Sequence, residues 1–345
     1  MPSTTTQTAR QPLVSVVTPV YNTDKYLADC IESVLAQSYD NWEYVIINNC
    51  STDRSLEIAQ RYAAQDNRII IHNNTEFLTQ MQNWNHAMRQ ISSESRYCKV
   101  VHADDWLFPE CIAQMVALAE QYPSVGIVGS YRLDEVEVNL DGLPYPSSCV
   151  AGRDICRLAL LEGNYIFGSP TSILLRADLV RQRDPFYEES DIHADTAVCF
   201  DLLREANFGF VHQILTFTRR HNESTTTLVS RFRTTRISRL SILKKYGPVY
   251  LSPNEYQQAL KKHIDSYYYF LARKVFEFQN KEFWAYHKRE LAKLDIELNK
   301  VHLMKCMLYE ALNFRETAKT LKRSLRNRGA APSTPIRQVL DVIDN

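Results

Sequence analysis

The chain has 345 residues, 45% of them hydrophobic and 23% charged, a composition that excludes a disordered or membrane-spanning protein and fits a globular one. Its 40 basic side chains equal its 40 acidic ones, so the net charge gives no reason to expect a nucleic acid partner. Eight cysteines occur without a C-x-x-C pair, and we interpret them as reduced and buried. The polar N-terminus lacks the apolar segment of a signal peptide, so we expect a cytoplasmic protein.

The first hundred residues alternate apolar runs with segments of helical spacing. The apolar runs predict strands at 12–21, 44–47, 69–71 and 97–101. Apolar residues spaced three and four apart predict helices at 26–35, 56–62 and 84–91. Strands that alternate with helices favour a parallel, doubly wound sheet. Ligands bind beyond the carboxyl ends of such strands, where Tyr21, Asn49 and Asp104 fall.

Beyond Pro123 the pattern indicates a mixed rather than a purely parallel sheet. Strands are predicted at 125–128, 173–175 and 208–215, with a helix at 196–206. Val136 and Val138 suggest a hairpin strand whose turn is Asp141-Gly142. From about residue 230 onward the pattern is nearly all helical, with basic and aromatic residues interleaved.

Two adjacent carboxylates, Asp104 and Asp105, follow the fourth predicted strand and precede a helix that Pro109 opens. Carboxylates exposed at such a strand end are suited to hold a hard divalent cation and a phosphate. Aspartates also cap helices, and the pair by itself does not distinguish this role from cation binding.

Three segments in this order resemble family 2 glycosyltransferases of the GT-A fold, whose usual series is V-S-V-V-x-P-x-Y-N, then D-D-G-S-T-D, then D-x-D-D. The matching segments are 14–22, 46–53 and 102–105, and the likeness continues at 168–176, at Asp195 and at 219–226. This chain departs from the series in two places. Asn48-Asn49-Cys50 replaces Asp-Asp-Gly, and His102 stands where an acidic residue often begins the third motif.

The resemblance implies an α/β GT-A fold, a Rossmann-like, mostly parallel sheet with helices on both faces, followed by a helical extension. We accordingly predict a disordered N-terminus at 1–11, a catalytic domain at 12–229, a helical region at 230–330 and a flexible tail at 331–345. The nucleotide-sugar half of the catalytic domain is expected to end near residue 122, with the acceptor half after it.

The resemblance also implies roles for individual residues. The predicted contacts to a nucleoside-diphosphate sugar are Pro19, Tyr21, Asn22, Asn49, Asn83 and Asp104. Asp105 and His221 are the predicted ligands of Mn²⁺ or Mg²⁺. Asp195 is the predicted catalytic base, with Asp191 as a nearby competitor and helix capping as the alternative role for either. Gly168 and Ser169 are assigned to the acceptor side, while Arg219 and Arg220 are either phosphate clamps or solvated charges.

Together these features predict an inverting transfer of a sugar to a hydroxyl of a saccharide or lipid-linked acceptor, in surface polysaccharide or glycolipid assembly. Peripheral contact of the C-terminal helices with the inner face of a membrane would suit a lipid-linked acceptor, although a solvated basic face is the alternative. A non-catalytic nucleotide-sugar binding protein is a second hypothesis, because of the asparagine and histidine replacements. A sugar-phosphate nucleotidyltransferase is a third, but it needs a glycine-rich phosphate loop where this chain has Pro19-Val20-Tyr21-Asn22.

Overall fold

A computed structural model describes residues 11–163, 166–191, 193–220 and 232–312. The chain divides into two compact units, Met1–His221 and Asn222–Asn345. The finer boundaries expected from the sequence, at 122, 229 and 330, stay predictions.

The strands of the first unit form one ten-stranded sheet. They are β1 (Val14–Val20), β2 (Trp42–Asn48), β3 (Ile69–Asn73), β4 (Tyr97–Val100), β5 (Trp106–Leu107), β6 (Val125–Asp134), β7 (Glu137–Asn139), β8 (Cys149–Val150), β9 (Ile173–Arg176) and β10 (Asn207–Thr218). Their order is β3-β2-β1-β4-β9-β6-β10-β5, with β7 paired to β6 and β8 to β10.

The described helices of the first unit connect these strands. They are α1 (Leu27–Leu35), α2 (Ser55–Ala63), α3 (Gln80–Arg89), α4 (Cys111–Gln121), α5 (Gly152–Glu162), α6 (Ala177–Arg181) and α7 (Ala194–Leu202). Apolar faces of α1, α2 and α4 pack on alternate residues of β1, such as Val14 and Val16, and form the main core.

Strand directions confirm the predicted change along the chain. The pairs β1–β2, β1–β4 and β2–β3 are parallel, as strands separated by helices require. In the later half β9 runs antiparallel between β4 and β6, whereas β10 is parallel to β6. The fold is therefore α/β with a parallel first half and a mixed second half.

One local expectation was wrong, and one strand was not predicted. The hairpin turn lies between β6 and β7, where Asp134 pairs with Glu137 and Glu135 adopts a φ of 54°, and not at Asp141-Gly142. The sequence pattern also did not predict β5, because two residues are too few to show a period. Its partner is β10, and the ring of Trp106 stacks on Phe217 with centroids 3.5 Å apart.

The second unit is helical within its described residues. Its helices are α8 (Thr235–Tyr250), α9 (Pro253–Phe276), α10 (Lys281–Lys293) and α11 (Lys300–Leu312). A capping box between Ser252 and Glu255 begins α9, with Pro253 at its first position. All four helices contribute to one apolar cluster, which includes Leu240, Leu271, Trp284 and Leu303.

Within the described ranges, no helix has both the length and the apolar character that crossing a membrane requires.

Candidate active site

Three loops leave the sheet side by side at its carboxyl edge. Val20 at the end of β1 lies in register with Asn48 at the end of β2, and the N–H of Asn49 donates to the carbonyl of Val20 at 2.9 Å. Just past β4, the N–H of Val101 donates to the carbonyl of Val17 at 3.0 Å. The ends of β1, β2 and β4 therefore meet at one edge, as the strand pattern predicted.

A cluster of possible metal ligands follows β4. His102, Asp104 and Asp105 each offer a ligand atom, and these atoms lie within 4.8 Å of one another. Asp105 is only 3% exposed. Its Oδ2 accepts a hydrogen bond from the Thr171 hydroxyl at 2.6 Å, and its Oδ1 accepts one from the Arg219 N–H at 3.0 Å. These two hydrogen bonds hold the buried carboxylate of Asp105 in place. Asp104 is half-buried and is the more accessible carboxylate.

The electrostatics of this cluster suit a cation. Burial and the neighbouring charge of Asp104 raise the pKa of Asp105 to about 7. Burial also lowers the pKa of His102, which favours the neutral imidazole. Two carboxylates that repel each other gain stability when a divalent cation binds between them, and a neutral imidazole is the form that ligates metal.

His102 adds an observation that the sequence alone did not give. Its Nε2 is buried and has no hydrogen-bond partner among the described residues. Its Nδ1 lies 3.9 Å from Oδ2 of Asp105, and its ring lies 4.5 Å from the ring of Trp84. One imidazole nitrogen with two carboxylates is a donor set that Mn²⁺ accepts, so the residues present fit the divalent cation that was predicted.

Two arginines follow β10, and the structure shows both in ion pairs. Arg219 lies near Asp29 and donates through Nε to the carbonyl oxygen of Asp104 at 3.1 Å, so it holds the acidic loop in place. Arg220 is exposed and pairs with Asp134 at 2.8 Å. The predicted metal ligand His221 lies outside the described residues.

An aromatic pair lies beside the end of β1. Tyr21 is 46% exposed, and its ring meets that of Phe77 edge to face with centroids 4.9 Å apart. Phe77 is 60% exposed and had not been predicted as a site residue. In the sequence, the signal for Phe77 was an aromatic residue within a mostly polar loop. Pro19 lies within β1, opposite Ile47 of β2.

Asn22 connects two loops of the nucleotide side. Its backbone has a φ of 50°, and its Oδ1 accepts a hydrogen bond from the N–H of Thr52 at 2.8 Å. Its own N–H donates to the hydroxyl of Ser51 at 3.1 Å. Asn22 therefore fixes the loop after β1 to the loop after β2.

Asn49 belongs to a network of asparagine amides. Its Oδ1 accepts from the Leu78 N–H at 2.9 Å, and its Nδ2 donates to the Leu78 carbonyl at 2.8 Å. Asn74 donates through Nδ2 to Oδ1 of Asn49 at 3.0 Å and to Oδ1 of Asn83 at 3.2 Å. Asn49 and Asn83 are both buried, and both hold the loop that carries Phe77. Direct contact of either with a nucleotide stays a prediction.

Asp195 lies in the first turn of α7. It is half-buried, and burial raises its pKa against the opposing effect of nearby His193. The ring of Tyr187 lies 5.6 Å from that of Trp84, and burial, with a smaller effect of the charge of Asp195, raises the pKa of Tyr187. Since Trp84 also contacts His102, a row of ring contacts runs from the acidic cluster to Tyr187. Asp191 accepts the His193 N–H at 2.9 Å, a local turn contact just before α7.

The predicted acceptor segment lies directly behind the acidic cluster. Gly168 has a φ of +74°, and a Cβ there would lie 2.9 Å from the Cβ of Ser172, so both conformation and space require glycine. The hydroxyls of Ser169 and Ser172 lie 3.2 Å apart. Between them, Thr171 bonds to Asp105 and ties this segment to the metal cluster.

Lys99 is a buried residue that had not been predicted as part of the site. It has no exposed surface in the centre of β4, and its Nζ donates to the carbonyls of Thr171 at 2.5 Å and Ile173 at 3.0 Å. Burial lowers the pKa of this ammonium. A lysine inside an apolar strand was the signal in the sequence, because such a charge is seldom buried without a purpose.

Comparison with known proteins agrees with this geometry. The model of glycosyl transferase family 2 matches residues 15–183. An uncharacterized glycosyltransferase of Haemophilus influenzae is 30% identical over 213 residues, which covers 60% of this chain and 79% of that relative. The chain belongs to glycosyl transferase family 2.

Another relative aligns over a shorter share of this chain. Glycosyltransferase GlyG of Streptococcus pneumoniae is 30% identical over 181 residues, or 49% of this chain and 57% of GlyG. The chain thus spans little more than half the length of that relative.

Solved structures show the GT-A fold. S. aureus TarS 1-349 in complex with UDP-GlcNAc has a TM-score of 0.56 at 14% identity, covering 90% of this chain and 91% of that one. The mannosyltransferase PcManGT of Pyrobaculum calidifontis, in complex with GDP-Man and Mn²⁺, has a TM-score of 0.54 at 14% identity, with coverage of 97% and 87%.

Proposed function

We propose that this family 2 member is an inverting, metal-dependent glycosyltransferase. It moves a sugar from a nucleoside-diphosphate sugar to a hydroxyl of a saccharide or lipid-linked acceptor, in surface polysaccharide or glycolipid assembly. The observation that carries the proposal is the cluster of His102, Asp104 and Asp105 at the carboxyl edge of the sheet, with the ring of Trp84 in contact with His102. The nucleotide sugars bound by TarS and PcManGT, with Mn²⁺ in the latter, support it.

On the donor side, the exposed rings of Tyr21 and Phe77 offer an apolar wall for a nucleobase. His102, Asp104 and Asp105 would hold the divalent cation, with His221 as a further predicted ligand. When bound, the cation supplies Lewis-acid stabilisation of the charge that develops on the diphosphate. Asp104 is the carboxylate placed to reach it first, and Asp105 keeps the loop in position.

On the acceptor side, Asp195 is the proposed base. The acceptor hydroxyl transfers its proton to a carboxylate oxygen of Asp195 while its oxygen bonds to the anomeric carbon. The bond from that carbon to the diphosphate oxygen breaks, and its electron pair leaves with the diphosphate. Attack opposite the leaving group inverts the configuration. A raised pKa makes Asp195 a stronger base than an ordinary aspartate.

The proposal is tested first by thermal stabilisation with UDP, GDP, dTDP and CDP, each with and without Mn²⁺. Wild type is compared with Asp104→Ala and Asp195→Asn, because ligands that bind the folded state raise its melting temperature. One nucleotide should stabilise wild type only with Mn²⁺, and Asp104→Ala should lose this effect. Asp195→Asn should keep binding and lose transfer. If Asp195→Asn leaves cellular function intact, the non-catalytic binding protein is the better description.

A lipid-linked acceptor would bring the enzyme to a membrane surface. Peripheral contact of the C-terminal helices with that surface is therefore part of the proposal.

A further inference from the structure

One face of helix α11 (Lys300–Leu312) packs against the other helices of the second unit. Leu303 and Cys306 are buried in the apolar cluster. Glu310 is buried and pairs with Arg273 of α9 at 3.0 Å. The ring of His302 stacks on Tyr268 with centroids 4.2 Å apart. This face needs no further partner.

The opposite face of α11 is apolar and exposed. Val301, Met304, Leu308 and Leu312 follow one another at spacings of three and four residues, so they form a stripe along the helix. Their exposure runs from 50% at Met304 to 84% at Leu312. Single exposed apolar side chains are ordinary, but a continuous stripe on one helix indicates a surface that binds something.

The exposed charged side chains of α11 itself are positive. Lys300 and Lys305 are exposed on α11, whereas its acidic residue, Glu310, is buried in an ion pair. The sequence that follows the helix, 313–330, contains six lysines and arginines and one glutamate. An apolar face flanked by basic residues is the pattern of an interfacial helix that binds anionic lipid.

We propose that the stripe Val301–Met304–Leu308–Leu312 docks on an anionic membrane surface, with its apolar side chains in the acyl boundary and Lys305 at the headgroups. A second copy of the chain is a poorer occupant, because a two-fold interface would place Lys305 of each copy against the same positively charged patch. The segment 313–330 has that same sign of charge. The purpose of docking rests on the proposed function, since it would bring the enzyme to a lipid-linked acceptor.

Vesicle flotation of the full chain tests this without donor or acceptor, so its result is independent of transfer. Wild type should bind phosphatidylcholine vesicles that contain phosphatidylglycerol, and should bind pure phosphatidylcholine weakly. The double variant Met304→Gln, Leu308→Gln should lose roughly tenfold or more in affinity, because two apolar side chains no longer leave water. Lys305→Gln should weaken binding at low salt and have less effect at high salt.

Val136→Gln is the control, because Val136 is apolar and, at 91%, even more exposed than Met304 and Leu308, but lies in the first unit. It should leave vesicle binding unchanged. Melting temperature and oligomeric state of the double variant decide between the occupants. Equal binding to both vesicle types, or a double variant that binds like wild type, overturns the proposal. A marked fall in melting temperature would show that the chain itself covers the stripe, and a change from dimer to monomer would assign it to a second copy.

Discussion

The hydroxyl of Thr171 donates a 2.6 Å hydrogen bond to Oδ2 of Asp105, while the carbonyl of the same threonine accepts from the buried ammonium of Lys99. Thr171 also accepts the N–H of His102 on its hydroxyl oxygen at 3.1 Å. One fully buried side chain thus positions two members of the acidic cluster. The predicted acceptor segment and the predicted donor site are therefore not independent parts of this protein.

Thr171→Val should raise the Mn²⁺ concentration needed for half-maximal nucleotide stabilisation by roughly tenfold, since a hydrogen bond to a carboxylate contributes about 1.5–3 kcal/mol. Thr171→Ser keeps the hydroxyl and should behave nearly as wild type. Melting curves over a Mn²⁺ titration measure both. A valine variant that is merely less stable, with an unchanged Mn²⁺ midpoint, would refute the positioning role.

Activity should fall with acid around a pKa higher than that of an ordinary aspartate, about 3.9. Asp195 must be ionised to accept a proton, and burial raises its pKa, so transfer is lost as the pH drops through that value. The pH profile of kcat/KM measures this. Asp195→Asn should reduce kcat by about 10²-fold or more and remove the fall of kcat/KM at acid pH.

The same shift predicts that Asp195→Asn stabilises the fold at neutral pH. Because the folded-state pKa is raised, the protonated carboxyl contributes stability at low pH that disappears as the pH rises through the raised pKa. Asparagine carries no charge to bury. Melting temperatures at acidic and neutral pH should show a gain for the variant that is confined to the neutral measurement. A variant that loses stability at both would contradict the assigned environment.

Asn49→Asp, which introduces the acidic residue usual in the family, should destabilise this protein. A carboxylate cannot donate to the carbonyl of the half-buried Leu78, which now accepts a hydrogen bond of 2.8 Å, so this acceptor loses its partner at a cost of about 1 kcal/mol. Denaturant unfolding measures the loss, and the exposed Asn67→Asp is the matched control. Equal stability of the two variants would mean that the amide network contributes little.

Phe77→Ala should weaken nucleotide stabilisation to a similar degree as Tyr21→Ala, by about 0.5–1.5 kcal/mol, if both rings contact the base. Neither change should lower the melting temperature of the free protein by much, because both rings are largely exposed. Binding titrations of the chosen nucleotide decide the matter. If only Tyr21→Ala weakens nucleotide binding, only the ring of Tyr21 contacts the base.

The sequence predicted well what depends on local pattern. Apolar runs located β1 to β4, and the rule that parallel strands end at one edge correctly placed the ends of β1, β2 and β4 together. It could not predict contacts between distant segments. Lys99 meets Thr171 across 72 residues, and Asp105 accepts the N–H of Arg219 across 114. Only those contacts show that Asp105 is buried behind Asp104, and no spacing in the chain records them.

The contact between Trp84 and His102, with ring centroids 4.5 Å apart, gives the protein an internal optical probe. An indole beside an imidazole changes its emission when that ring gains a proton or a paramagnetic ion arrives. Of the other three tryptophans, Trp284 lies in the second unit, Trp42 faces the guanidinium of Arg68, and Trp106 stacks on Phe217. The fluorescence that Trp84→Phe removes is thus a direct record of what occupies the acidic cluster, obtained without a label and without turnover.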